Sequence, residues 1–217
     1  MHYSVLTIFP GLVESFKEVG LIQKAIDAGL IGIDAVDLRA YSGNKHRKVD
    51  DRPFGGGAGM VMTPGPLFSA TRAILDGRPG RVILLSAYAE RFTQVKAKAL
   101  AREPHLVLVC GRYEGVDQRY IDSMVDEELS IGEFVLMGGE VAAMTVMEAV
   151  SRMIPGVVGN QESVETDSFF FEGQYGFPQY TQPRDYQGVL VPEVLTSGHH
   201  REIIKWRKER QKRGDKG

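Results

Sequence analysis

Residues 109–140, VCGRYEGVDQRYIDSMVDEELSIGEFVLMGGE, gather chemically useful side chains around glycine. The apolar run Leu106, Val107, Leu108 and Val109 breaks at Gly111 into Arg112, Tyr113 and Glu114. A second turn, Ile131, Gly132, Glu133, Phe134, Val135 and Leu136, closes on Gly138, Gly139 and Glu140. Glycine admits main-chain turns and close approaches that a side chain would block, so a flat ligand can lie directly on backbone. Either turn alone reads as an ordinary tight connection. Together, with an arginine, a tyrosine and glutamates beside them, they read as a binding pocket.

A second unusual stretch is Asp50-Asp51-Arg52-Pro53-Phe54-Gly55-Gly56-Gly57-Ala58-Gly59-Met60. It is no P-loop, because no Gly-Lys-Ser/Thr follows, and Met62 stands where a dinucleotide fingerprint needs its last glycine. With His46, Arg47, Lys48 and Arg52 nearby, it suits a lid that touches the backbone of an anionic substrate. A flexible surface connection is the plainer alternative. Arg152 ends a long helical pattern and Asp167 lies in a polar stretch beyond it. On their own, the first is a cation complementing a helix dipole and the second a solvated turn former or cap. No HExxH, metal spacing or Ser/His/Asp set is present, and the single Cys110 can form no internal disulfide.

Positioning these groups falls to alternating strands and helices. His2–Phe9, Ile31–Leu38, Arg81–Ser86 and His105–Cys110 read as strands. The last two are continuous apolar runs, as parallel strands covered on both faces require. Helices are expected over Leu12–Val19, Leu21–Ala28 (ended by Gly29), Pro64–Leu75, Thr93–Ala101, Val116–Met124 and Val141–Met153. That alternation predicts an α/β domain around a mainly parallel sheet, with ligands at the carboxyl ends of the strands. Residues 156–198 are rich in Gly, Pro, Ser and Gln, and read as linker plus irregular structure before a basic helix, His199–Lys212.

At 217 residues, 43% hydrophobic and 25% charged, the chain has the composition of a globular protein with a substantial core. No apolar run approaches the roughly 18 residues that span a bilayer, and no export signal opens the chain, so cytoplasm is the default compartment. The net charge of −2 comes from 26 Lys and Arg against 28 Asp and Glu. Eight of those bases and three of those acids lie from His199 to Gly217, leaving +5 there and −7 on the rest. Such a basic helix is either a polyanion-binding element or a solvated surface helix.

Taken together, VDDRPFGGGAGM, LVLVCGRYEGVDQR, SIGEFVLMGGE, AVSRMIPGV and TDSF resemble the bacterial tRNA (guanine-N1)-methyltransferases that modify position 37, in that family's order and spacing. The resemblance implies a SPOUT-class α/β fold: a mainly parallel sheet with a deep trefoil knot over residues 1–158, and an interdomain linker over 159–172. A small helical tRNA-binding domain over 173–217 follows, shorter than the family's. It further implies S-adenosylmethionine as methyl donor, an association with Mg²⁺ during transfer, the tRNA anticodon stem-loop as substrate, and a homodimer with its active site at the subunit interface. By the same resemblance the donor is held by Leu85, Ser86, Ala87, Gly111, Tyr113, Glu114, Ile131, Gly132, Glu133, Phe134, Val135, Leu136, Gly138 and Gly139. Asp167 matches the general base and Arg152 the cation on guanine O6. Asp50, Arg52, Gly57, Gly59, Arg201, Lys205, Arg207 and Lys208 are the expected tRNA contacts. One departure is plain: Ser86-Ala87-Tyr88-Ala89 stands where the family commonly has Ser-Pro-Gln-Gly.

Overall fold

The computed structural model describes residues 1–211 apart from Glu172 and Gln174. Lys212, at which the basic helix was expected to end, and the charged residues Arg213, Asp215 and Lys216 lie outside the described residues. The chain divides into two compact units, Met1–Gly159 and Asn160–Gly217.

In the first unit the apolar runs become the buried interior of a sheet. Its elements are β1 (His2–Thr7), α1 (Pro10–Lys17), α2 (Gly20–Asp27), β2 (Gly32–Asp37), β3 (Asp50–Asp51), β4 (Val61–Met62), α3 (Pro64–Leu75), β5 (Arg81–Arg91), α4 (Gln94–Leu100), β6 (His105–Cys110), α5 (Gln118–Met124), β7 (Glu127–Ser130) and α6 (Glu140–Ser151). Five strands pair in the order β2-β1-β6-β5-β7, every pair parallel. Alternate residues of one strand enter opposite cores. Leu106, Leu108 and Cys110 pack with α1, α2, α4 and α6, while Val107 and Val109 pack with α3 and α5. A strand covered on both faces needs apolar residues at every position, which is why these runs carry no period of two.

Three departures from expectation bear on the site. β5 continues through Ala87, Tyr88 and Ala89 to Arg91, with a break in its register against β7 between Leu85 and Glu90. Past Ser86, where the strand was expected to end, the chain thus forms a bulge within a strand, which re-aims side chains at a sheet end. β7 was not evident in the sequence, since Glu127 and Glu128 open it. Glu127 pairs with Arg81 (3.0 Å) and with Lys96, so its charge is accommodated at the sheet edge. α6 stops at Ser151, with Arg152 as its C-cap.

After β7 the chain returns across the ends of β5 and β6 to begin α6. At that crossing Gly139 N–H donates to Gly111 O (3.0 Å). A Cβ on Gly139 would sit 2.7 Å from Cys110 Cα, which is backbone and cannot swing away. Gly139→Ala is therefore expected to cost about 1–3 kcal/mol by overpacking. At Gly111 the nearest atom to an added Cβ is 3.7 Å away, an ordinary contact. Urea melts should thus separate the two variants; equal midpoints would contradict the crowding assigned to Gly139.

α5 starts on Asp117, whose carboxylate accepts from Arg119 N–H (3.0 Å) and pairs with the guanidinium (2.7 Å). These bonds, the side-chain one foremost, hold the carboxyl below its usual 3.8. A lowered carboxyl pKa stabilises the fold above the unfolded value and loses that contribution as pH falls through the folded one. Asp117→Ala should cost about 1 kcal/mol at neutral pH, as for loss of an N-cap. The difference between variant and wild type should shrink in melts below pH ~3.8.

The second unit contains α7 (Gln161–Glu165), the antiparallel hairpin β8 (Asp185–Tyr186) and β9 (Val189–Leu190), α8 (Glu193–Thr196) and α9 (His200–Arg210). The stretch read as irregular thus holds structure, in pieces of two to five residues. Pieces that short leave no periodic signal.

Candidate functional site

The carboxyl ends of β5, β6 and β7 surround a cavity of about 370 Å³. That lies within the size range of small-molecule sites. Leu85, Ser86 and Ala87 line it from the bulged strand, Gly111, Tyr113 and Glu114 from the turn after β6, and Ile131, Phe134, Val135, Leu136, Gly138 and Gly139 from the return segment. Gly132 and Glu133, named with them from the sequence, are absent from the lining. Glu133 is exposed and paired with Arg91, and Gly132 is engaged by Ser130.

Ser130, buried at the end of β7, ties two of these segments together. Its hydroxyl proton lies between the carbonyls of Ala87 (3.1 Å) and Gly132 (2.9 Å), and its oxygen accepts from Gly132 N–H (3.2 Å). Tyr113 takes a left-handed backbone, φ 61°, which is costly outside glycine and recurs where a binding loop is held in a fixed shape. The backbone beside it is anchored: Glu114 N–H donates to Met60 O (2.9 Å), Met62 N–H to Gly115 O (2.9 Å) and Asp117 N–H to Met62 O (3.0 Å).

Those bonds also fasten the glycine-rich segment. Asp50 and Asp51 pair with Met62 and Val61, so residues 52–60 form the loop of a hairpin. Arg52 and Gly57 are exposed on it, and Phe54 is 98% exposed. At Gly59, φ 81°, a Cβ would overlap the Glu114 side chain, so this glycine seats the loop against the cavity's rim.

A charge pair lies beneath the crossing. Glu140 is only 1% exposed, and Arg112, 20% exposed, grips it through Nε (3.1 Å) and Nη2 (2.9 Å). Thr7 Oγ1 donates to the other carboxylate oxygen (2.7 Å) and accepts from Phe9 N–H (2.9 Å). The guanidinium also stands 4.3 Å over the Phe9 ring. Glu140 opens α6, where the helix's positive end favours its charge. The network joins the ends of β1 and β6 to the start of α6. Neighbouring Cys110 is buried; desolvation first, then the Glu140 charge, push its thiol well up, so it is an inert packing group.

Lining residues not foreseen are Leu84, Gly115, Val116, Gln118, Ile121, Leu129, Met137 and Ala142. Gln118 and Ile121 carried a usable signal, since a three-residue spacing puts them on one face of a helix starting directly after the glycine turn. Leu129 and Ala142 carried none.

The expected catalytic pair is divided between the units. Arg152 caps α6, and Asp167 follows α7, its N–H donating to Val164 O (3.4 Å) and its carbonyl accepting from Phe170 N–H (3.3 Å). Both are half-buried and both have interaction partners. In the second unit Arg201, Lys205, Arg207 and Lys208 are exposed along α9 around a buried Trp206. Among the described residues no group of three or more His, Cys, Asp or Glu could hold a metal ion, and no helix is long and apolar enough to cross a membrane.

The family model described as tRNA (guanine-1)-methyltransferase TrmD matches residues 1–216. Among curated proteins, tRNA (guanine-N(1)-)-methyltransferases of Moorella thermoacetica and Thermus thermophilus are 49% identical over 213 residues and 48% over 209. Each alignment spans 96% of this chain, with 84% and 86% of the respective relative. A crystal structure of tRNA (m1G37) methyltransferase from Aquifex aeolicus superposes with a TM-score of 0.81 at 36% identity, covering 95% of this chain and 87% of that one. A parallel α/β sheet with a cavity at its strand ends, matched along nearly its whole length by these proteins, leaves one assignment: the chain belongs to the tRNA (guanine-1)-methyltransferase family.

Proposed function

We propose that this protein transfers a methyl group from S-adenosylmethionine to N1 of guanosine 37 in tRNA. The observation supporting it most is the cavity at the ends of β5, β6 and β7, on a chain whose relatives are named tRNA (guanine-N(1)-)-methyltransferases. The lining fits the donor. Leu85, Ile131, Leu136 and Val116 supply apolar walls for an adenine ring, and the exposed loop backbone can read its edge. Ser86, Glu114 and Gln118 bring a hydroxyl, a carboxylate and an amide for ribose hydroxyls and the amino-acid end. When bound, the donor supplies an electrophilic methyl group on a sulfonium.

The chain's own residues must then make N1 nucleophilic. N1 of guanine carries a proton, and as it leaves, negative charge spreads onto O6. Asp167 accepts that proton as general base. Arg152 stabilises the developing charge at O6. The target base leaves its stack to be reached, at lower cost in an anticodon loop than in a duplex. The hairpin carrying Asp50, Arg52, Gly57 and Gly59 closes over it, while Arg201, Lys205, Arg207 and Lys208 meet phosphates.

Two features of assembly belong to the same reading. The return segment 131–139 threads as a deep trefoil knot, and the close crossing at Gly139 supports this. Two copies pair through the side of α1 and α6, where Leu12, Met137 and Val141 stay exposed although such patches are costly in water. The deciding experiment incubates protein, labelled donor and undermodified tRNA, then maps the methyl by mass spectrometry. One methyl on guanosine 37 is expected; label elsewhere, or none, refutes the proposal. A noncatalytic RNA-binding protein would bind the tRNA and leave it unlabelled.

A further inference from the structure

A second cavity, of about 610 Å³, lies wholly within the second unit between residues 177–184 and α9. Three aromatic rings line it. Tyr180 meets Trp206 edge to face at 6.2 Å, and Arg207 stacks 4.8 Å over Phe177. Arg184 stands on its rim, exposed. A neighbouring hollow of about 430 Å³ shares Phe177 and Arg207 and adds Lys208. Among the described residues no carboxylate lines either one, although acids outnumber bases in the chain as a whole.

Flat rings beside cations, with acids kept out of the lining, suit a ligand that is both planar and anionic. An unpaired nucleotide has both properties: its base offers a π-face to aromatic side chains, and its phosphate offers charge to arginine and lysine. Bases inside a duplex are already stacked and offer no free face. We infer that this cavity takes one unpaired nucleotide of the tRNA, other than the methylated one, with its base among Phe177, Tyr180 and Trp206. Its phosphate lies against Arg207 and Lys208, and Arg184 covers the open side. The site fixes the register of the RNA on the second unit. It rests on the tRNA reading proposed above and assigns a recognition role beyond the phosphate contacts.

Trp206 is the chain's single tryptophan, so its emission reports on this cavity alone. The full-length protein is titrated with an unmodified tRNA transcript, and Trp206 fluorescence is expected to be quenched on binding. Tyr180→Ala should raise the KM for tRNA about tenfold, the scale of one lost stacking contact. Arg184→Gln, a change at an exposed position that leaves packing intact, should raise it too. Neither should alter the dissociation constant for S-adenosylmethionine measured by calorimetry. In transcripts with single abasic sites, one unpaired position should reproduce the Tyr180→Ala loss and add nothing further in that variant. If tRNA is methylated with normal KM in both variants and Trp206 emission stays constant, the cavity is not a nucleotide site and the methyltransferase reading stands. If the protein neither binds nor methylates tRNA, both fall together. If no abasic position matters while Arg207 and Lys208 variants lose affinity, the contact is to phosphate alone and the base pocket is refuted.

Discussion

Asp167→Ala is expected to lower the rate of methyl transfer by about 10²–10⁴-fold, the usual contribution of a positioned general base. The size follows from the nucleophile: N1 has no lone pair to offer until its proton departs, and nothing else assigned to the reaction accepts it. Asp167 is in the second unit, whereas every lining residue of the donor cavity is in the first. Calorimetric affinity for S-adenosylmethionine should therefore survive the substitution. Asp167→Asn keeps the shape but removes the basicity, so it should fall with the alanine variant. Single-turnover assays at saturating donor and tRNA separate this from weakened binding. A wild-type rate in either variant would show that the base is another group. Arg152→Ala should slow the same step, because it leaves the charge growing on O6 without a partner.

The second large effect is structural. Arg112→Met should destabilise the fold by about 3–5 kcal/mol, because it strands a buried carboxylate. Glu140 is 1% exposed, and without Arg112 the side-chain donor left to it among the described residues is Thr7. The reverse change, Glu140→Leu, should cost less, because Arg112 is 20% exposed and can turn its guanidinium to water. Changing both together should recover much of the loss, since no unpaired charge then remains in the interior. Urea unfolding of the two single variants and the double variant checks all three statements. A double variant as unstable as Arg112→Met would mean that packing, rather than the isolated charge, sets the cost. Because the pair joins β1, β6 and α6 beneath the crossing, Arg112→Met should weaken donor binding as well.

Much of the sheet was legible along the chain. β6 and the first half of β5 declared themselves because strands buried on both faces need apolar residues at nearly every position, and β1 because it stops at Pro10-Gly11. β7 did not, since its two glutamates mask it; Glu127 is tolerated there because Arg81 and Lys96 pair with it. The bulge in β5 was equally hidden: Ala87, Tyr88 and Ala89 show no alternation and fall inside the register break, beyond which Glu90 and Arg91 resume pairing with β7. In the second unit, elements of two to five residues were too short to leave a period.

The chemistry of the site divides in the same way. Read alone, the order of residues singled out two glycine turns, a glycine-rich loop and a basic helix, all recognisable because glycine and charge act on their nearest neighbours. It could not rank one glycine above another. Gly111 and Gly139 look alike in sequence, yet only Gly139 has Cys110 backbone where a side chain would go. Nor could it pair Arg112 with Glu140, 28 residues away, or bring Phe177 and Arg207 together around a cavity. Those contacts join residues far apart in the chain, and only the folded chain sets which distant groups exclude one another or share a charge.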